Sequence, residues 1–188
     1  MEVFLVSITT ISVAEIGDRT QLLSLLLAAR FRRPWPIIAG ILCATLANHA
    51  VAGLVGVWFG SLLKPRTLQA VVGFSMIAMA LWTLKPDKLD ENAGATSAMG
   101  AFLATLTSFF IAEIGDKTQI ATLALAAAYP NLLAVVAGTT AGMMLANVPV
   151  VFLGKAFADR LPLKAIRFGA AALFAVLGAV FLLRAVWH

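Results

Sequence analysis

The sequence predicts an all-α integral membrane protein, its six transmembrane helices arranged as two inverted three-helix repeats. Three observations predict this. The composition is too apolar for a soluble surface, six apolar stretches have spanning length, and one acidic motif occurs twice at a fixed offset.

Of 188 residues, 61% are hydrophobic and 12% are charged. That charged share is about half of what a soluble domain carries. The mean hydropathy is +0.95. Too few polar residues remain to build a wetted surface, so the membrane class is favoured before any motif is read. The net charge of +5 comes from basic residues placed singly or in small groups between apolar stretches. Membrane proteins keep their cytoplasmic charges there, so no nucleic-acid partner is implied. The single cysteine, Cys43, excludes an intramolecular disulfide and a multi-cysteine zinc site. No cleavable signal peptide is expected, because the first apolar stretch carries acids and lacks a basic leader.

A spanning helix needs roughly 20 mostly apolar residues. Stretches of that kind run over about 3–29, 36–62, 67–85, 98–128, 131–157 and 165–187. Pro34, Pro36, Pro65, Pro86, Pro130 and Pro162 fall in or near the connections, and Pro149 falls within the fifth stretch, where a kink is expected. Residues 86–97 form the only polar linker. The chain therefore divides into a first three-helix repeat (1–86), a cytoplasmic linker (87–97) and a second three-helix repeat (98–188).

The halves match in detail. Val13-Ala14-Glu15-Ile16-Gly17-Asp18-Arg19-Thr20-Gln21 is answered by Ile111-Ala112-Glu113-Ile114-Gly115-Asp116-Lys117-Thr118-Gln119, an offset of 98. Leu46-Ala47-Asn48 and Leu145-Ala146-Asn147 match at 99. Three helices per half is an odd number, so the halves enter the membrane oppositely, as in many secondary transporters. With the N-terminus outside, the cytoplasmic loops hold nine basic residues: Arg30, Arg32, Arg33, Lys85, Lys88, Lys155, Arg160, Lys164 and Arg167. The other side holds three, Lys64, Arg66 and Arg184. That bias puts both termini outside the cytoplasm.

Four acids, Glu15, Asp18, Glu113 and Asp116, lie within the apolar spans. A charge at that depth costs at least about 2.5–3.5 kcal/mol, so these residues must face one another, an ion or water. On a continuous helix the i, i+3 spacing puts both carboxylates of a motif on one face, with Gln21 and Gln119 a further step along. Two antiparallel motif helices then offer four carboxylates to one cavity. Hard divalent cations such as Mn2+, Ca2+ and Mg2+ want such oxygen ligands. Without an ion the acids repel and take up protons, which is a physical route to exchange. Gly17 and Gly115 permit either an unwound turn or close packing. Arg19, i+4 from Glu15, either pairs with it or snorkels toward an interface.

The doubled Glu-x-Gly-Asp-[Lys/Arg]-Thr motif, in a small chain of three plus three helices, resembles the cation/proton exchanger family. That family includes bacterial manganese exporters and eukaryotic Golgi manganese/calcium transporters. The resemblance covers essentially the whole chain, and the two motif copies differ only in Arg19 against Lys117. It implies that Glu15, Asp18, Glu113 and Asp116 are the ion ligands, supported by Thr20, Gln21, Thr118 and Gln119. It also implies Mn2+ export against protons, with the cation as cargo, no catalytic residues and no cofactor. The size of the chain favours a bacterial inner membrane.

Other readings stay open. Asn48 and Asn147 either bond between helices or join the ligand set. His49 has no counterpart in the other half and is either a packed histidine or one that titrates in transport. Gly56-x-x-x-Gly60 and Gly138-x-x-x-Gly142 mark close helix contacts. Asp87, Asp90 and Glu91 are solvated linker acids or a regulatory cation site. Ca2+/H+ exchange through the same site is the alternative to Mn2+, and export of a basic amino acid comes next, although no aromatic cage accompanies the motifs. A metal-dependent enzyme has no specified nucleophile, and no phosphate-binding loop supports a primary pump. The partners are a divalent cation, protons and the lipid bilayer, and a homo-oligomer is compatible with all of this.

Overall fold

The six stretches fold as eight helices in the described residues, which are 1–85, 100–154 and 162–187 of a computed structural model. The helices are α1 (Glu2–Glu15), α2 (Arg19–Phe31), α3 (Pro34–Leu62), α4 (Pro65–Thr83), α5 (Ala101–Glu113), α6 (Lys117–Ala128), α7 (Leu132–Leu153) and α8 (Leu163–Trp187). The linker at 87–97 lies outside the described residues, as do Lys88, Lys155 and Arg160.

The extra two helices come from the motifs. The i, i+3 spacing predicts that both carboxylates of a motif share one helix face, and they do not; of the two readings open for Gly17 and Gly115, the unwound turn is the one that forms. Ile16 and Ile114 are extended, Gly17 and Gly115 take positive φ (+81° and +72°), and Asp18 and Asp116 are extended N-caps. The reason is local. A left-handed residue is cheap only for glycine, and Asp is a favoured N-cap. Both motifs are therefore built as a helix end, a glycine turn and a fresh helix start.

Elsewhere the boundaries follow the sequence. Arg32 closes α2 in the left-handed region, and proline opens α3 and α4 at the first turn, where its missing N–H costs nothing. Asn131 caps α7, its side chain accepting from Ala134 N–H at 3.0 Å. The α7 helix runs on through Pro149 to Leu153.

Three helices, α3, α7 and α8, are long and apolar enough to cross a membrane. At 12 to 14 residues each, α1, α2, α5 and α6 are too short to do so singly. The surface is apolar: Phe74 is 66% exposed, Leu81 68% and Leu133 82%. Glu15, Glu113, Asp18, Asp116, Lys117, Asn48, Asn147 and His49 are buried instead. This reverses the arrangement of a water-soluble domain, as a lipid-facing surface requires.

Glycines fix which helices meet. A Cβ on Gly56 would lie 2.3 Å from the Leu123 carbonyl, and one on Gly40 would lie 2.9 Å from that of Phe102, so α3 runs parallel to α5 and α6 in succession. Likewise Gly138 meets Phe4 and Ser7 while Gly142 meets Ile8 and Ile11, so α7 runs parallel to α1. Gly73 and Gly178 pack α4 against α8. Every one of these pairings joins one half of the sequence to the other.

Candidate functional site

The two motif breaks sit where the halves interlock. Glu15 ends α1 and is fully buried. Its Oε1 accepts from Asn147 Nδ2 at 3.2 Å and from the Thr20 hydroxyl. Asn147 lies on α7, in the other half, and its Oδ1 accepts from Ser24 Oγ at 2.6 Å. Glu113 ends α5 and is also fully buried. It accepts from Asn48 Nδ2 at 3.0 Å and from Thr45 Oγ1 at 2.8 Å, both on α3. Each glutamate is thus held by the asparagine of the opposite half.

The aspartates are crossed in the same way. Lys117 pairs with Asp18, and Arg19 Nη2 lies 3.0 Å from Asp116 Oδ1. The Arg19–Glu15 pair considered from spacing does not form, because the helix ends at Glu15 and i, i+4 geometry does not carry across the glycine. Thr20 and Thr118 donate to Asp18 and Asp116 at 3.3 Å each. Gln21 and Gln119 do not continue a carboxylate face. Their Oε1 atoms accept from Gly17 N–H and Gly115 N–H, both at 2.8 Å, and so hold the turns in place. Gln21 Nε2 donates to the Ala146 carbonyl at 3.0 Å, and Gln119 Nε2 makes a long 3.5 Å contact to Asn48 Oδ1.

Thr45 and Ser24 were missed by sequence reading. A signal existed for both: Thr45 precedes Asn48 by three on one helix, and Ser24 follows Gln21 by three, so each shares a face with a residue already singled out.

Electrostatically, a glutamate at a helix C-terminus sits against the negative end of the dipole, whereas an aspartate N-cap sits at the favourable end. Glu15 and Glu113 are therefore the carboxylates whose charge the local backbone offsets least. Among the described residues, no three His, Cys, Asp or Glu side chains converge on a point that would hold a metal ion. Lys117 and Arg19 serve as the counter-charges of the aspartates instead. A cavity of about 10 Å³ beside Gly17, Asp18 and Lys117 has room for about one water and is also lined by Thr83 and Arg167.

The chain is similar to known proteins over most of its length. The family model described as "Divalent cation/proton antiporter GDT1" matches residues 3–91 and 101–187. A Vibrio cholerae protein described as "Putative manganese exporter" is 55% identical over 175 residues, 93% of this chain and 87% of that protein. A GDT1-like protein of Synechocystis is 30% identical over 87% of this chain and 88% of its own length. A chloroplastic GDT1-like protein of Oryza sativa is 28% identical over 92% of this chain and 59% of its own. No solved structure matches. The family is one of transporters, not enzymes, and its matched segments contain both motif breaks. The chain belongs to the GDT1 family of divalent cation/proton antiporters.

Proposed function

We propose that this transporter exports Mn2+ from the cytoplasm in exchange for protons, with Glu15, Asp18, Glu113 and Asp116 as the exchanging carboxylates. The observation that carries the reading is the crossed arrangement of two fully buried glutamates, each bonded to the other half's asparagine. Thr20, Gln21, Thr118, Gln119, Asn48 and Asn147 position the carboxylates. Lys117 and Arg19 hold the aspartates until a cation displaces them. A divalent cation supplies the positive charge that two helix C-termini lack, and protons supply it on the return. The Mn2+ assignment draws on the Vibrio cholerae relative's description.

In this reading the chain forms six spans as two inverted repeats, α1–α2 and α5–α6 each acting as one broken span. Broken helices at a repeat interface, with C-terminal ends toward the cation, are what such a mechanism needs. The parallel pairings α1·α7 and α3·α5–α6 support it, since inversion makes each half's broken span run alongside the other half's second span. The nine-to-three excess of basic residues supports termini outside the cytoplasm, in a bacterial inner membrane. Ca2+/H+ exchange is the second reading, favoured by the carboxylate, hydroxyl and side-chain amide groups gathered at Glu15.

The test is uptake of Mn2+ and Ca2+ into proteoliposomes with a pH-sensitive dye enclosed. Mn2+ entry with matched proton exit is expected, falling to background in Glu15→Gln and Glu113→Gln. Full transport by Glu113→Gln would remove that residue from the ligand set. Protons compete for the same carboxylates, so transport should slow as pH falls on the cation-entry side. A rate independent of pH between about 5.5 and 8 would overturn shared-site coupling.

A further inference from the structure

His49 is the polar residue that the site as described leaves without a task. It is fully buried, and neither ring nitrogen has a hydrogen-bond partner among the described residues. A buried imidazole without a partner loses its hydration with nothing in exchange, so such a residue calls for an explanation. Its position supplies one. Thr45 and His49 are i and i+4 on α3 and so share a face, about 5–6 Å apart between Cβ atoms. Thr45 donates to Glu113 Oε1, and Asn48, the residue before His49, donates to Glu113 Oε2. The imidazole therefore stands one turn beyond the groups that hold the Glu113 carboxylate.

A second unpartnered group sits at the same level. Trp35 packs on Phe152 at 5.6 Å, and a Cβ on Gly53 would meet Val136 Cγ2 at 3.1 Å, so α3 and α7 run antiparallel. One turn back from Gly53 is His49, and one turn on from Val136 is Thr140. The Thr140 hydroxyl is buried and also has no partner among the described residues. The corresponding place in the other half has no such group, because Val148 follows Asn147.

We propose that His49 gives the Glu113 half of the pathway a nitrogen ligand, and that this ligand makes the transporter prefer Mn2+ to Ca2+. The inference rests on divalent-cation transport as proposed above. Mn2+ accepts imidazole nitrogen alongside carboxylate oxygen, whereas Ca2+ takes oxygen ligands almost exclusively. Thr140 offers a hydroxyl oxygen to the same ion or to a water it carries. The Glu15 half has no imidazole and offers hydroxyl and amide oxygens with the Met143 thioether behind Asn147, so it distinguishes the two ions less.

The experiment uses the full chain, purified and in proteoliposomes, with Mn2+ and Ca2+ as probes. Pulsed electron paramagnetic resonance of Mn2+ on the wild-type protein should show nitrogen-ligand modulation, absent in His49→Val and His49→Gln. The Mn2+-to-Ca2+ transport ratio should fall roughly tenfold or more in both variants while Ca2+ transport persists. Persisting Ca2+ transport also shows that the variants fold. Wild-type Mn2+ binding without nitrogen modulation, or modulation retained in both variants, would overturn the proposal and leave a buried water as the group's partner. Modulation lost with the ratio unchanged would overturn the selectivity claim. Absence of transport of either ion by the wild type would defeat the transport reading itself, which is a separate result.

Discussion

The two motif breaks have nearly the same sequence and unlike surroundings. At the first, Gly17 lies against Leu163 of α8, where a Cβ would come within 2.9 Å of Cδ2. At the second, nothing among the described residues lies within 4 Å of the Gly115 Cβ position, and Ile114 is 56% exposed. The bases differ in the same sense, and in a crossed way. The Lys117 side chain is 4% exposed, whereas that of Arg19 is 37% exposed. The carboxylates differ too: both Glu113 oxygens have donors, while Glu15 Oε2 has none among the described residues. One motif, present twice, thus yields an enclosed station and an open one. Alternating access requires that the two stations not be equivalent at the same moment.

The largest break in this comparison should come from Lys117→Met. It removes a buried counter-charge from Asp18, and losing one partner of a buried pair costs about 3–5 kcal/mol. Arg19→Met also leaves a buried carboxylate, Asp116, but Arg19 itself is the less enclosed of the two bases, so this change should cost less than Lys117→Met. Thermal unfolding of both variants in detergent measures the difference. Equal shifts would mean that the two pairs are equally screened.

A smaller effect is expected at the glycines. Alanine at either position bears the left-handed backbone, worth about 1–2 kcal/mol. Gly17→Ala adds the contact with Leu163, so it should lower the unfolding temperature more than Gly115→Ala. The reverse order would show that α8 gives way easily at Leu163.

The smallest perturbation sharpens the contrast without breaking anything. With Cys43 replaced by serine, Ile114→Cys should react with a water-soluble maleimide much faster than Ile16→Cys, since Ile16 is only partly exposed. Added Mn2+ should shift the two rates in opposite directions if the stations exchange access. Rates that stay equal throughout would remove the enclosed-and-open distinction.

Much of this was legible in the residues. The duplicated motif named the four acids, and the apolar lengths and prolines located the helix ends. Close contacts at Gly56 and Gly138 followed from small-residue spacing. The failure came at the motifs. Continuous helical periodicity put Glu15, Asp18 and Gln21 on one face, whereas the glycine turn sends them to different tasks. The permissive residue was visible, but whether a glycine bends or merely packs depends on what the bend satisfies. Here the gain is Gln21 holding Gly17 N–H and Asp18 capping a new helix.

The sequence by itself determined that two copies of one acidic pattern lie inside apolar stretches, because repetition and apolar length are both read along the chain without reference to packing. Tertiary structure alone decided the partners. Asn147 reaches Glu15 across 132 residues, and Lys117 reaches Asp18 across 99. The physical reason is that interhelical bonds depend on which faces meet and at what level. Glycines at α3·α6 and α1·α7 set that by allowing backbones to approach, and local spacing carries no record of it.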